Sequence, residues 1–162
     1  MKAVLISIQP KWCELIAAGK KTVEVRKTKP NLDVPFTCYI YQTRMKWLYK
    51  LLDSMGLYKL EYRLRMAFGK VAGEFVCNKM SFIEADIDLD GDRHLYNTVF
   101  LQHRMCLTDD ELFQYLYRGK DKNNGGWGWH ISKLRIYDRP KRLAEFELFR
   151  APQSWCYVEE LE

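Results

Sequence analysis

The chain opens on a short apolar run, "AVLISI" at residues 3–8. It is rich in β-branched residues and bounded by polar ones, which predicts a buried strand. "QPKWCELIAAGK" follows with the marks of a helix. Pro10 suits a first helical turn, where its missing N–H has no partner to lose. Trp12, Leu15 and Ile16 fall on one face, and Gly19 suits the reversal after the last turn. "TVEVR" then alternates, with Val23 and Val25 on one side and Thr22, Glu24 and Arg26 on the other. "TKPNLDVP" has turn chemistry and "FTCYIYQT" reads as another strand.

Beyond Thr43 the period changes. Met45, Leu48, Leu51, Leu52 and Met55 recur at helical spacing up to Gly56. "LYKLEYRLRMAFG" fits either a second helix or an extended arm, and "KVAGEFVCNKMSFIEAD" returns to strand character. "IDLDGDRH" carries turn signals at Asp90 and Gly91, but lacks the ligand series and closing glutamate of a calcium loop. In "LTDDELFQYLYRGK", Thr108 and Glu111 have capping-box spacing, Asp109 and Asp110 suit the positive end of a helix, and Gly119 suits its stop. "DKNNGGWGWHISKLRIYD" is a glycine-rich loop entering a strand, "PKRLAEFELF" alternates like a last strand, and the tail from Ala151 reads as peripheral. The sum is α+β: a mainly antiparallel sheet short enough to curl into a small barrel, with flanking helices and a helical insertion.

Composition narrows the class. The chain has 162 residues, 48% of them hydrophobic, so a single domain over 1–162 with a full core is expected. Five widely spaced cysteines form no CxxC pair, which argues for free thiols in a reducing compartment and against a zinc or redox motif. His94, His103 and Cys106 share a stretch but lack ligand spacing, so no metal and no cofactor is expected. The apolar start is too short for a signal peptide and no run reaches membrane length. Together these point to a cytoplasmic protein.

The net charge of +5 is local. Between Tyr41 and Lys70 lie seven cations (Arg44, Lys46, Lys50, Lys59, Arg63, Arg65, Lys70) against Asp53 and Glu61, a surplus equal to that of the whole chain. Trp47, Tyr49, Tyr58, Tyr62 and Phe68 are interleaved with them. Cations track a phosphate backbone while rings stack on bases, so this insertion at about 43–68 is a candidate surface for single-stranded nucleic acid. An amphipathic helix packed on the barrel, or a protein-docking module, has the same pattern.

"GKKTVEVR" carries the chemistry that stands out most. Glu24 and Arg26 lie on one side of a strand, about 7 Å apart along the backbone, directly after Lys20 and Lys21. The pattern fits a solvated strand face; it also fits a polar pocket in which each charge needs further partners. The stretch follows G-x-K-x-x-E-x-R and resembles the motif of the ASCH domain (activating signal cointegrator homology), in the PUA-like superfamily. Its surroundings, "ISIQPKWCELIAAGKKTVEVRKTKP", "GKVAGEFVC", "LTDDELFQYLYRGK" and "GWGWHISKLRIYDRPKRLAEF", look like that family's successive elements.

The resemblance implies a small barrel with a motif-lined cleft, to which Gly19, Lys21, Glu24 and Arg26 carry over. It also implies binding of RNA or other nucleic acid there. Some small members are amidohydrolases acting on acetylcytidine, with a motif lysine, a threonine three residues later and a downstream glutamate as the proposed catalytic set. Lys21 matches that lysine. Glu24 stands where the threonine would be, and Glu111 and Glu74 are both candidates for the glutamate. On that alternative Lys21 and Glu24 are the catalytic candidates, and a modified nucleoside is the substrate. The ligand-binding candidates are Gly19, Lys20, Lys21, Glu24, Arg26, Arg44, Lys46, Trp47, Lys50 and Trp129. Trp129 is included because Trp127 and Trp129 share a strand face and either ring has the size for a cleft wall or for the core.

Overall fold

The computed structural model describes residues 1–44, 50–51, 54–55, 62–119, 122 and 124–161. Lys46, Trp47 and most of the expected insertion helix, including Met45, Leu48 and Leu52, lie outside the described residues.

The first elements follow the sequence pattern. β1 is Lys2–Ile8, α1 is Pro10–Ala17, β2 is Val23–Arg26 and β3 is Phe36–Gln42. A short helix, α2, spans Tyr62–Arg65 and buries Leu64 completely. β4 runs without interruption over Lys70–Ile87 and turns at Gly91 into β5, Arg93–Tyr96. α3 (Gln102–Met105) leads to α4 (Asp109–Leu116). Thr108 and Glu111 close the capping box on α4, each side chain engaging the other residue's backbone N–H. β6 spans Gly126–Lys141 and β7 spans Trp155–Glu159.

Six strands form the ladder path β2-β6-β4-β3-β1-β7, and β5 pairs with β4 off that path. β1 and β3 run parallel and the other pairings are antiparallel. Among the described residues the path is open, with β2 and β7 at its ends. The chain is therefore mixed α+β and mostly sheet, but the sheet does not close into the small barrel that the sequence predicts. β4 and β6 supply the bends: their long pairing shifts register three times, between Val71/Gly73, Glu74/Val76 and Cys77/Met80.

Two expectations at the C-terminal end are corrected. "PKRLAEFELF" is not a strand. Its first residues finish β6, and Leu143–Phe146 forms a 3₁₀ turn capped by Arg142 and Glu145, with Phe146 edge-on to Tyr39 at 4.8 Å. The tail is not peripheral, because β7 pairs with β1 from Lys2↔Glu159 to Ile6↔Trp155.

Three apolar clusters organise the core. One joins α1 to β1, β3 and β4 around Ile8, Ile16, Phe36 and Trp129. A second packs α4 and Met105 on Val23, Val25 and Ile83. A third gathers Leu5, Tyr39, Val71, Tyr137 and Phe146. Among the described residues no helix is long and apolar enough to cross a membrane.

Candidate nucleic-acid interface

The site begins with how α1 ends. Gly19 adopts φ +70°, a left-handed value that costs other residues a steric clash. The reversed chain is held by N–H groups of Lys20 and Lys21, both donating to the Leu15 carbonyl at 2.9 Å. Thr22 N–H then donates to Arg104 O at 2.9 Å. This strap turns Lys21 inward, where it is 3% exposed, and leaves Lys20 on the surface.

Alternation along β2 does the rest. Val23 and Val25 face the second cluster, so Glu24 and Arg26 must face the other way. They point into a cavity of about 420 Å³. Glu24 is 5% exposed and stands between two cations. Arg26 Nη2 donates to its Oε1 at 2.9 Å, and Lys21 Nζ approaches Oε2 at 3.4 Å. The cations are tied down in turn. Lys21 Nζ donates to Met105 O at 2.6 Å, a carbonyl left open at the end of α3. Arg26 Nη2 donates to Ser7 O on β1, also at 2.6 Å. The ring of Trp12 lies 5.0 Å from Lys21 Nζ. A buried carboxylate fixed in this way is felt by its neighbours: the Cys13 thiol pKa is driven well up, first by burial and then by the Glu24 charge.

Three polar atoms at this cavity are buried without a hydrogen-bond partner: Glu24 Oε2, Arg26 Nε and Thr43 Oγ1. Buried polar groups are nearly always satisfied, so a cluster of orphans on one cavity wall calls for a ligand or water. Trp12 and Tyr115 add aromatic walls, and Glu111 adds a second carboxylate at the rim. Glu111 accepts from both the backbone N–H and the hydroxyl of Thr108, which holds its pKa below the usual carboxylate value. Burial raises the phenol pKa of Tyr115, and the Arg26 charge partly offsets it.

The structure brings together only some of the residues singled out from sequence. Lys21, Glu24 and Arg26 line one cavity. Gly19 shapes the turn but lines nothing, and Lys20, Arg44 and Lys50 are exposed away from the cavity lining. Arg44 covers Gly69 instead, its Cγ filling the space where a Cβ would be. Trp129 is core, not cleft wall. It is 0% exposed, packs edge-on to Phe36 at 5.9 Å, and leaves its Nε1 unpaired. Of the two glutamates considered downstream, Glu111 is at the cleft and Glu74 lies in a separate polar groove with Tyr137 and Arg135. Sequence reading missed Trp12, Thr43 and Tyr115 as cleft residues. Trp12 and Tyr115 were visible only as apolar positions on amphipathic helices, and nothing local marks Thr43.

Comparison with known proteins bears on the family model and the fold. Residues 6–80 match the family model of the ASCH domain, a span that contains Lys21, Glu24, Arg26 and Thr43. No curated protein matches the sequence. The fold is similar to crystal structures of the Zymomonas mobilis ASCH protein. A tyrosine-to-phenylalanine mutant of that protein gives a TM-score of 0.63 at 18% identity, covering 99% of this chain and 92% of that one. The unmutated protein gives 0.63 at 18%, covering 98% and 88%. A serine-to-alanine mutant gives 0.63 at 18%, covering 98% and 89%. At this identity the likeness is one of fold. Residues 6–80 therefore match the ASCH domain model, and the fold of the ASCH crystal structures extends over nearly the whole chain.

Proposed function

We propose that the cleft around Lys21, Glu24 and Arg26 binds RNA by taking in an unpaired base. RNA binding is the role generally proposed for ASCH domains. The observation that carries the reading is the set of buried atoms without a hydrogen bond, Glu24 Oε2, Arg26 Nε and Thr43 Oγ1, on the walls of one aromatic-sided cavity. A base edge offers a donor to the carboxylate beside an acceptor for the guanidinium. A phosphate has no donor, and the open oxygen of Glu24 repels it. Trp12 and Tyr115 supply flat apolar surface for a ring.

Titrating labelled single-stranded RNA with the full chain tests this. Replacing Glu24 by Gln keeps the shape and removes the charge, and is expected to weaken binding roughly 10- to 100-fold, the range for a hydrogen bond to a charged group. Unchanged affinity in both Glu24→Gln and Lys21→Ala would remove the cleft from the function.

A second reading, hydrolysis of an acylated nucleoside such as N4-acetylcytidine, draws on one observation. Lys21, Glu111 and a hydroxyl, Thr43, line the same cavity. Against it, Lys21 Nζ is engaged by Met105 O and the Glu24 carboxylate, so it is not free to take a substrate proton. Incubation of N4-acetylcytidine with a high concentration of the protein decides the matter, and absence of cytidine and acetate retires the hydrolase.

A further inference from the structure

We propose that the sheet face beside the cleft, carrying Trp127 and Phe82 with Lys27 and Lys29, is a second contact for the same RNA strand. There the lysines hold phosphates and the rings stack on a base next to the one in the cleft. The proposal rests on the reading of the cleft as a base pocket.

Register makes the two places neighbours. Arg26 pairs with Trp127 across β2 and β6, and Trp127 pairs with Phe82 across β6 and β4. Directly opposed residues share a face, so Arg26, Trp127 and Phe82 form one row on the face that lines the cleft. Each step crosses one strand spacing, about 5 Å. The row therefore leads from a cleft wall to open surface within the reach of an adjoining nucleotide. Gly126 permits this closeness, because a Cβ there would lie 2.6 Å from Arg26 O and from Leu116 Cδ2.

The chemistry of the row changes along its length. Trp129, two residues from Trp127 on the same strand face, is sealed in the core. Trp127 is only partly buried, and Phe82 is 42% exposed with its ring 5.2 Å from Trp127. Lys29 Nζ lies 4.3 Å over the Trp127 ring, and Lys27 Nζ lies 5.1 Å over Tyr115, which is itself a cleft wall. Both lysines are exposed, and Arg118 reaches the Lys27 carbonyl at 3.4 Å, adding a third cation. Among the described residues no carboxylate forms an ion pair with Lys27, Lys29 or Arg118. Cations without a carboxylate partner, two of them over aromatic rings and continuous with a base pocket, are what a single strand uses: charge follows its backbone and rings accept its bases.

Fluorescence anisotropy on the full chain tests the surface, using labelled hexacytidylate, hexaadenylate and hexauridylate over a salt series. The double variant Lys27→Ala/Lys29→Ala alters only exposed side chains. It is expected to weaken hexamer binding about tenfold and to flatten the slope of log affinity against log salt by roughly 1.4, or 0.7 per lost phosphate contact. Trp127→Phe keeps a ring in place and is expected to weaken the hexamer by a few fold. Trp127→Phe should not alter competition by a free mononucleoside for the cleft, which Trp127 does not line. Hexamer binding that Glu24→Gln weakens, but whose affinity and salt slope the double variant leaves unchanged, overturns this surface and spares the cleft. Hexamer binding that the double variant weakens and Glu24→Gln does not overturns the cleft reading and leaves the surface standing by itself. A wild-type chain that binds no hexamer overturns both.

Discussion

Glu24 and Glu74 each stand beside an arginine and an aromatic ring, yet their surroundings give them different work. Glu24 is 5% exposed, bonded to Arg26 at 2.9 Å, and keeps one oxygen, 3.4 Å from Lys21 Nζ, without a hydrogen bond at a cavity. The Glu74 side chain is 27% exposed, 3.8 Å from an Arg135 that is 74% exposed, and it accepts a hydrogen bond from the Tyr137 hydroxyl. Water screens the second cluster and lets its members rearrange, so its ion pair contributes little. The first cluster is shielded from bulk solvent, with Lys21 and Glu24 both buried. Its charges hold one another, and any capacity left over is directed at whatever enters the cleft. Glutamate and arginine become a recognition site where desolvation leaves a bonding position with no other way to be filled.

The widest separation between the two clusters should come from deleting a partner in each. Arg26→Ala leaves Glu24 buried with only Lys21 beside it, and is expected to destabilise the fold by about 3–5 kcal/mol in chemical denaturation. A loss below about 1 kcal/mol would mean that the cleft charges are solvated after all. In the open cluster the larger effect belongs to Tyr137. Tyr137→Phe removes a hydrogen bond to a charged acceptor and is expected to cost about 1.5–3 kcal/mol at neutral pH.

The same variant carries a pH signature. Burial first, then the hydrogen bond and charge of Glu74, raise the Tyr137 phenol pKa above its ordinary value. The unfolded chain therefore releases this proton before the folded one does. The stability contributed by the neutral phenol is complete below about pH 10 and is lost as pH rises beyond it. Denaturation midpoints of Tyr137→Phe should fall less steeply than those of wild type above that pH. Parallel slopes would show that the phenol titrates normally.

Smaller effects sharpen the contrast. Thr108→Ala removes the cap of α4 and is expected to cost about 1 kcal/mol. It leaves the Thr108 backbone N–H, the larger cause of the lowered Glu111 pKa, and removes the hydroxyl bond, so that pKa should rise only part of the way toward the ordinary carboxylate value, measurable by carboxyl NMR titration. Arg135→Ala should be smallest, at most about 1 kcal/mol, and sensitive to salt. If Arg135→Ala matched Arg26→Ala, burial would not be what distinguishes the two clusters.

The part of the site that local physics decides was legible. Pro10, the apolar face of α1 and the left-handed Gly19 are short-range features, and they place Lys21 at the mouth of β2. Period-two alternation puts Glu24 and Arg26 on one face whatever the rest of the chain does. The Thr108–Glu111 box announces α4 in the same way. Depth was not legible. Alternation assigns Trp127 and Trp129 to the same face, but Trp129 is sealed beneath Phe36 and α1 while Trp127 reaches the surface. A side chain's burial depends on what covers it, and the covering elements come from distant parts of the chain.

The C-terminal end makes the same point from the backbone. Residues 155–159 become a strand because β1 offers a partner some 150 residues away, and no local signal states that pairing. Phe146 leaves the alternating pattern because Tyr39 gives its ring a place to pack. By itself the sequence determined the elements around the motif, their order, the face on which Glu24 and Arg26 stand, and the match of residues 6–80 to the ASCH domain model. Tertiary structure decided that this face is roofed by Trp12 and Tyr115, that Met105 and Ser7 supply the carbonyls holding the two cations, and that Thr43 joins them. Helix and strand signals arise from neighbours within a few residues. A desolvated site needs long-range packing to exclude its water.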